Sequence, residues 1–279
     1  MRRIPPRITQ RIALMVMWGL GGITVALLFF IIAFILVHGL PHVTWTFLSQ
    51  APAGMGREGG VLPMIVSTIL VAGLAVLIAA PAGVLTAVYL TEYTRESRLT
   101  AVIRFGADCL AGIPSIIFGL FGFVFFVITL GMGLSIISGA LTLAIMVLPT
   151  IIRTSEEAIR AVPQSFREVS FGLGGTRWQT VTRVVLRCAL PGIGTGIVLS
   201  IGRSISETAA VMLTAGSALG MPGSLFDSSR TLALHFYILS REGLSMEKAY
   251  ATAAVLIIAI LLINFAAYWL MHRFVTRGK

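Results

Sequence analysis

The sequence predicts an all-α polytopic membrane protein: six transmembrane helices, with one short amphipathic helix held outside the bilayer between the fourth and the fifth. Three observations carry that expectation. Of the 279 residues, 57% are hydrophobic and 11% charged, with a mean hydropathy of +0.95, too apolar for a water-soluble core of this length. Several uncharged runs exceed the roughly 20 residues that cross a hydrocarbon core as a helix. The runs are continuous rather than alternating, which selects helices over a closed barrel, the other structure that satisfies backbone polar groups in lipid.

The elements follow in order. Residues 1–11 carry Arg2, Arg3, Arg7 and Arg11 with no acid, and 12–37 are uncharged. A secretory signal has a shorter apolar core and a small-residue cleavage site, so 12–37 reads as the first span. A segment with His38, Pro41, His42 and Pro52 leads to a second span over about 62–90, tilted or kinked, with Pro63 near its start and Pro81 inside. Charge returns over 92–108. The uncharged run 110–152 is 43 residues long, twice a span. Gly131-Met132-Gly133 divides it into helices over 109–130 and 134–152, and Gly112 and Pro114 would bend the first. A polar interval over 154–188, a fifth span over 189–214, a polar segment over 215–248, a sixth span over 249–271 and a tail over 273–279 complete the chain.

The charges orient these spans. With both termini in the cytoplasm, the inner segments hold sixteen Lys or Arg and the outer ones four, Arg203 remaining inside the fifth span. That asymmetry follows the positive-inside rule. It also accounts for the net charge of +10 without nucleic acid. Residues 215–248 are then periplasmic and 154–188 cytoplasmic. Cys109 and Cys188 fall near cytoplasmic helix ends, where a structural disulfide is not expected, and no metal-ligand spacing occurs.

The cytoplasmic interval carries helix punctuation of its own. Thr154 or Ser155 can cap a first short helix, with Glu156 and Glu157 at its positive end. Pro163 suits the first turn of a second. There Phe166, Val169, Ser170 and Leu173 stand at i, i+3, i+4 and i+7 and make one face largely apolar, while Arg167 and Glu168 point elsewhere. Gly172, Gly174 and Gly175 end that helix, and Thr176 can cap the next. Such a helix is a docking surface, or else it lies in the lipid headgroups.

No engine accompanies it. The phosphate-cradling GxxxxGK[ST] pattern is absent, the only Gly-Lys pair being Gly278-Lys279. Ser245 and Lys248 match an SxxK spacing without the accompanying motifs of acyl-enzymes. His38, His42, His235 and His272 are dispersed. No catalytic residue is expected.

Arg203 and Glu207 are out of place inside an apolar span. Four residues apart, they would share a helix face and pair, near mid-membrane, where a charge costs at least about 2.5–3.5 kcal/mol unless it faces a cavity or partner. Ser204, Ser206 and Thr208 make the neighbourhood polar. Two readings stay open. The pair is self-neutralising glue between helices, or it is a permeation path in which the arginine fork suits a tetrahedral oxyanion and the acid holds it until an anion competes.

Glu168, Gly174 six residues on, Val184, Leu186 and Leu190-Pro191 resemble the EAA loop of binding-protein-dependent ABC importer permeases. Val169-Ser170 stand where that pattern usually has Ala-Ala, and Arg187 replaces a proline. The stretch RTSEEAIRAVPQSFREVSFGLGGTRWQTVTRVVL and the GRSISETAAV around Arg203 are similar to the phosphate importers of this family. The basic N-terminus, GGVLPMIVST and TLALHFYILSREG look like the PstA type rather than its PstC partner. The resemblance implies a type I permease in the cell inner membrane whose coupling helix, with Phe166, Glu168, Val169, Ser170, Leu173 and Gly174, docks on an ATPase. It implies a substrate pathway through Arg203, Glu207, Ser204, Ser206 and Thr208. Its partners would be a homologous PstC-like permease, two PstB-like ATPase subunits, a periplasmic PstS-like phosphate-binding protein and membrane lipid. No cofactor is expected on this chain, ATP and Mg belonging to the ATPase. A sulfate or molybdate permease, a secondary transporter and a membrane scaffold are the alternatives.

Overall fold

The computed structural model describes residues 6–95 and 97–276. Arg2, Arg3, Glu96, Arg277 and Lys279 lie outside the described residues. Among those described, five helices are long and apolar enough to cross a membrane, or six if one sharply bent pair counts as a single span.

α1 (Pro6–Gly39) stands at the edge of the bundle and packs on the last helix, with Phe34 edge-on to Tyr250 at 6.0 Å. A short helix, α2 (Trp45–Ser49), follows. Two-residue strands β1 (Pro52–Ala53) and β2 (Glu58–Gly59) pair antiparallel, the only strands among the described residues. α3 (Leu62–Val88) then runs unbroken through Pro81 and ends in a π-turn over Tyr89–Tyr93. Pro63 sits in its first turn, where a missing N–H leaves no bond unmade.

The third span differs from the helix expected over 109–130. Ser97 and Thr100 form a capping box that starts α4 (Arg98–Ala111) well before that point. The chain then turns through 103° into α5 (Ser115–Gly122), extended by a π-segment over Phe123–Thr129. Pro114 is the cause, because its ring drives residues before it out of helical conformation. α4 is therefore an amphipathic helix set at a sharp angle to the apolar helix that begins at Ser115.

α6 (Ile136–Arg160) overruns its expected end at residue 152 by two turns. Thr154 and Ser155 lie inside it and cap nothing; the Thr154 hydroxyl donates back to the Thr150 carbonyl. The overrun persists because its polar face is neutralised by α4. Arg104 Nε is 3.0 Å from Glu156 and Arg153 Nε 3.3 Å from Asp108, while Ser155 and Ile159 stay buried on the other side.

α7 (Gln164–Gly172) and α8 (Arg177–Thr180) cross the end of the bundle. A π-segment over Val181–Val185 then leads into α9 (Leu186–Ile205). The fifth span was expected unbroken over 189–214. Instead it stops at Ile205, unwinds over residues 206–208 and resumes as α10 (Ala209–Thr214). Residues 215–248 are more than a loop. They hold α11 (Leu232–Arg241), which buries Leu232, Leu234, His235 and Leu239, before α12 (Met246–Thr276) closes the chain.

The core lies between α3, α6, α9, α10 and α5, where small residues let backbones approach. Val71, Ala75 and Ala79 of α3 meet Leu143, Val147 and Ile151 of α6. A Cβ on Gly83 would lie 2.7 Å from Ile151 Cγ2. At the α11 end, residues 215–231 fold over the start of α6. Ile136 and Ile137 N–H groups, which a helix start leaves without internal acceptors, donate to the Asp227 and Leu225 carbonyls at 3.1 and 3.0 Å.

Candidate coupling helix and substrate pathway

α7 starts directly after Pro163, which is extended (ψ 139°) and so precedes the first turn instead of occupying it. It stops at a Schellman motif. Gly174, at φ +82°, donates to the Phe171 carbonyl, and Gly175 donates to that of Ser170, each at 2.9 Å. Thr176 and Gln179 then form a capping box for α8.

The apolar face of α7 is turned outward. Leu173 is 84% and Val169 61% exposed, with Phe166 beside them; the three border a groove of about 520 Å³ that Gln179, Arg183 and Val184 complete. Glu168 is exposed. Ser170 alone of the face turns inward, its hydroxyl 2.8 Å from that of Thr180. The α7 face thus leaves Phe166, Val169 and Leu173 unburied within this chain.

Arg167 holds α7 in place. Its Nη2 is 2.6 Å and its Nε 3.1 Å from Glu92 Oε1, at the end of α3. Its Nη1 and Nη2 also donate to the Val162 and Ile159 carbonyls at 2.8 and 3.1 Å. Sequence reasoning missed this residue. The only available signal was an uncompensated acid at one span end and an arginine beside the amphipathic face, 75 positions apart.

The expected partnership of Arg203 and Glu207 is corrected. The helix ends at Ile205, so spacing four apart no longer puts both on one face, and no ion pair joins them among the described residues. The Ser206 hydroxyl, at the C-cap, donates back to the Gly202 and Arg203 carbonyls at 2.8 and 3.3 Å. Each charge instead meets a helix end of opposite sign. Arg203 lies in the last turn of α9. Glu207 Oε1 accepts from the Ala210 N–H at the start of α10, at 3.4 Å. Ser204 is buried with its hydroxyl unpartnered, and Thr208 makes no side-chain cap.

A groove of about 790 Å³ runs beside this break between α3, α9 and α12, lined by apolar residues including Ile197, Ile201, Ile205 and Ile263. Arg203 is not among them. At 100° per residue it lies about 200° round α9 from Ile201, on the side where Leu199 and Ser206 are exposed. The apolar groove and the charge therefore occupy different faces of one helix.

Comparisons with known proteins agree with this architecture. Residues 79–278 match the family model described as "Binding-protein-dependent transport system inner membrane component". The chain is 32% identical, over 95% of both sequences, to "Probable ABC transporter permease protein YqgI" of Bacillus subtilis (strain 168). It is 37% identical to "Phosphate transport system permease protein PstA 1" of Mycobacterium tuberculosis (strain CDC 1551 / Oshkosh), over 84% of this chain and 77% of that one. In fold it is similar to a chain in the crystal structure of a bacterial alginate ABC transporter in complex with its alginate pentasaccharide-bound periplasmic protein. That likeness has a TM-score of 0.67 at 17% identity and covers 96% of this chain and 97% of the other. The chain belongs to the family of binding-protein-dependent transport system inner membrane components, the multi-pass permeases of ABC importers.

Proposed function

We propose that this chain is the permease subunit of an ATP-driven importer of inorganic phosphate, forming the path and coupling it to a separate ATPase. The observation that carries the coupling role is α7: an outward apolar face, an exposed Glu168 and a rigid tie from Arg167 to Glu92 on α3. A partner that grips that face moves α3 and α6 with it. The phosphate relative supports the substrate, and Arg203 at the broken end of α9 supplies a fork suited to a tetrahedral oxyanion. The partners are a homologous permease, two ATPase subunits that hold ATP and Mg, and a periplasmic phosphate-binding protein. In this reading α7 and both termini face the cytoplasm, and α11 with residues 215–231 faces the binding protein. The Phe166–Leu173 segment and the Arg203 neighbourhood are the working parts.

The test is reconstitution with those partners in vesicles and uptake of labelled phosphate against excess sulfate or molybdate. Phosphate uptake that needs ATP and resists both competitors is expected. Uptake displaced by either competitor reassigns the substrate, and uptake without ATPase subunits removes the coupling role.

A further inference from the structure

α4 carries an apolar face that no described part of the chain covers. Leu99, Val102 and Phe105 are 66, 65 and 69% exposed, and Leu110 is exposed beside them. At 100° per residue the four share an arc of about 140° on one side of the helix. The opposite side is polar and held in place. Arg104 Nε donates to Glu156 of α6 at 3.0 Å, and its Nη2 donates to the Leu90 carbonyl, at the end of α3, at 3.3 Å. Asp108 is 3.3 Å from Arg153 Nε, also on α6.

Three observations give the level and direction of that face. α6 is long and apolar enough to cross a membrane, and the roughly 20 residues that cross a hydrocarbon core, counted from Ile136, end near Ser155. Arg153 and Glu156, which hold α4, therefore stand at the boundary between acyl chains and headgroups. Tyr89, exposed beside Leu90, puts at the same level an aromatic ring of the kind that membrane–water interfaces favour. α5 and the π-segment after it are uncharged, and α4 meets them at 103°, so a crossing α5 leaves α4 close to the membrane plane. The apolar face is also continuous, past Pro114, with the exposed Ile116, Ile117 and Leu120 of α5.

We propose that α4 is an interfacial helix: its apolar face seats in the phospholipid surface at the α7 end of the bundle, with Arg95 and Arg98 on anionic headgroups. Both arginines, just before and at the start of α4, are exposed and have no ion pair or hydrogen bond among the described residues. An amphipathic helix with cations at the rim of its apolar face lies where headgroups meet acyl chains. Arginine stems run along the apolar layer and deliver the fork to a phosphate. The lipid seat has a mechanical consequence. Through Arg104 and Asp108 it sets the depth at which α3 and α6 end, and so the depth of α7, which Arg167 ties to Glu92.

The test uses the complete transporter in vesicles of equal parts phosphatidylglycerol and phosphatidylcholine. Leu99→Cys, Val102→Cys and Phe105→Cys are made singly with Cys109→Ser and Cys188→Ser, since both native thiols are exposed, and each new thiol carries a bimane fluorophore. Brominated phospholipid quenches the label from the lipid side and iodide from the water side. Strong quenching by lipid and little by iodide is expected at each position. Brominated phosphatidylglycerol should quench at least about threefold more than brominated phosphatidylcholine, because two arginines at an anionic surface suffice for more than a tenfold preference. That contrast should vanish in Arg95→Gln with Arg98→Gln. Quenching by iodide puts the face in water, and quenching by neither reagent puts a protein partner on it; each overturns the proposal. Equal quenching by the two lipids, with the arginines intact, overturns the headgroup contact. Should one cysteine variant not assemble, the other two positions decide.

Discussion

The guanidinium of Arg167 and the carboxylate of Glu92 meet at 2.6 Å, joining the middle of α7 to the end of α3, with their side chains only 12% and 10% exposed. Removing one member of so enclosed a pair strands the other, at a cost of about 3–5 kcal/mol. Glu92→Gln or Arg167→Met therefore frees α7 from α3 while leaving its exposed face intact. The expected result is an assembled transporter that still hydrolyses ATP but moves at least about tenfold less phosphate per ATP, since losing more than 1.4 kcal/mol of coupling amounts to that factor. Measuring uptake and hydrolysis on the same vesicles checks it. An unchanged ratio means the pair only stabilises the fold.

The break after Ile205 separates the roles of Arg203 and Glu207. Arg203→Ala should abolish uptake with assembly intact, since no other described cation lies in the α9–α10 break. Glu207 acts through one acceptor oxygen on the Ala210 N–H, and glutamine retains such an oxygen. Glu207→Gln should therefore keep most uptake, whereas Glu207→Ala loses the cap and about 0.5–2 kcal/mol of local stability. A Gln variant as inactive as Arg203→Ala would restore the charge-pair reading.

What was legible in the chain, and what was not, divides along physical lines. The fold class follows from uncharged runs that water would not tolerate, and the outward face of α7 from apolar residues at helical spacing beside charged neighbours. The Arg167–Glu92 tie was not legible because it depends on how two distant helix ends register. α6 ran past Ile152 for the same reason, because the acids and arginines that seemed to end it are neutralised by α4. The break at Ser206 was hidden by its own chemistry. A polar island in an apolar run advertises function, but only the structure shows that the helix stops at Ile205 and resumes at Ala209.

At the α11 end, His235 is 1% exposed, and its pKa is pushed down to about 4, first by burial and then by Arg230, whose Nη1 is 3.4 Å from its Nδ1. Above pH 6.5 the ring is neutral folded or unfolded. Between 6.5 and 4 only the unfolded chain takes the proton, so stability is lost as pH falls through that window, by up to roughly 3 kcal/mol. Thermal unfolding in detergent should show a fall between pH 6.5 and 4 that is shallower in His235→Gln, which keeps an acceptor for Arg230. Parallel curves for the two proteins would rule the histidine out as the source.

The seam between α6 and α9 is built on glycine at helical spacing. A Cβ on Gly192 would press on Ala158 and one on Gly196 on Thr154, both on α6, while one on Gly194 would meet only the sulfur end of Met271 on α12. Ser200 and Ser204 continue the stripe and are buried, so small residues recur every fourth position and the two backbones approach closely. The three glycines should respond differently to the same added methyl. Gly196→Ala strikes the branched, helix-locked Thr154 and should cost about 1–3 kcal/mol, read as a lower unfolding temperature and reduced uptake. Gly194→Ala meets a flexible thioether that can swing away and should change little. Thr154→Ala removes the atoms that collide, so the pair Gly196→Ala with Thr154→Ala should recover most of the loss. If Gly194→Ala proves as damaging as Gly196→Ala, or the double variant recovers nothing, the damage comes from contacts outside the seam between α6 and α9.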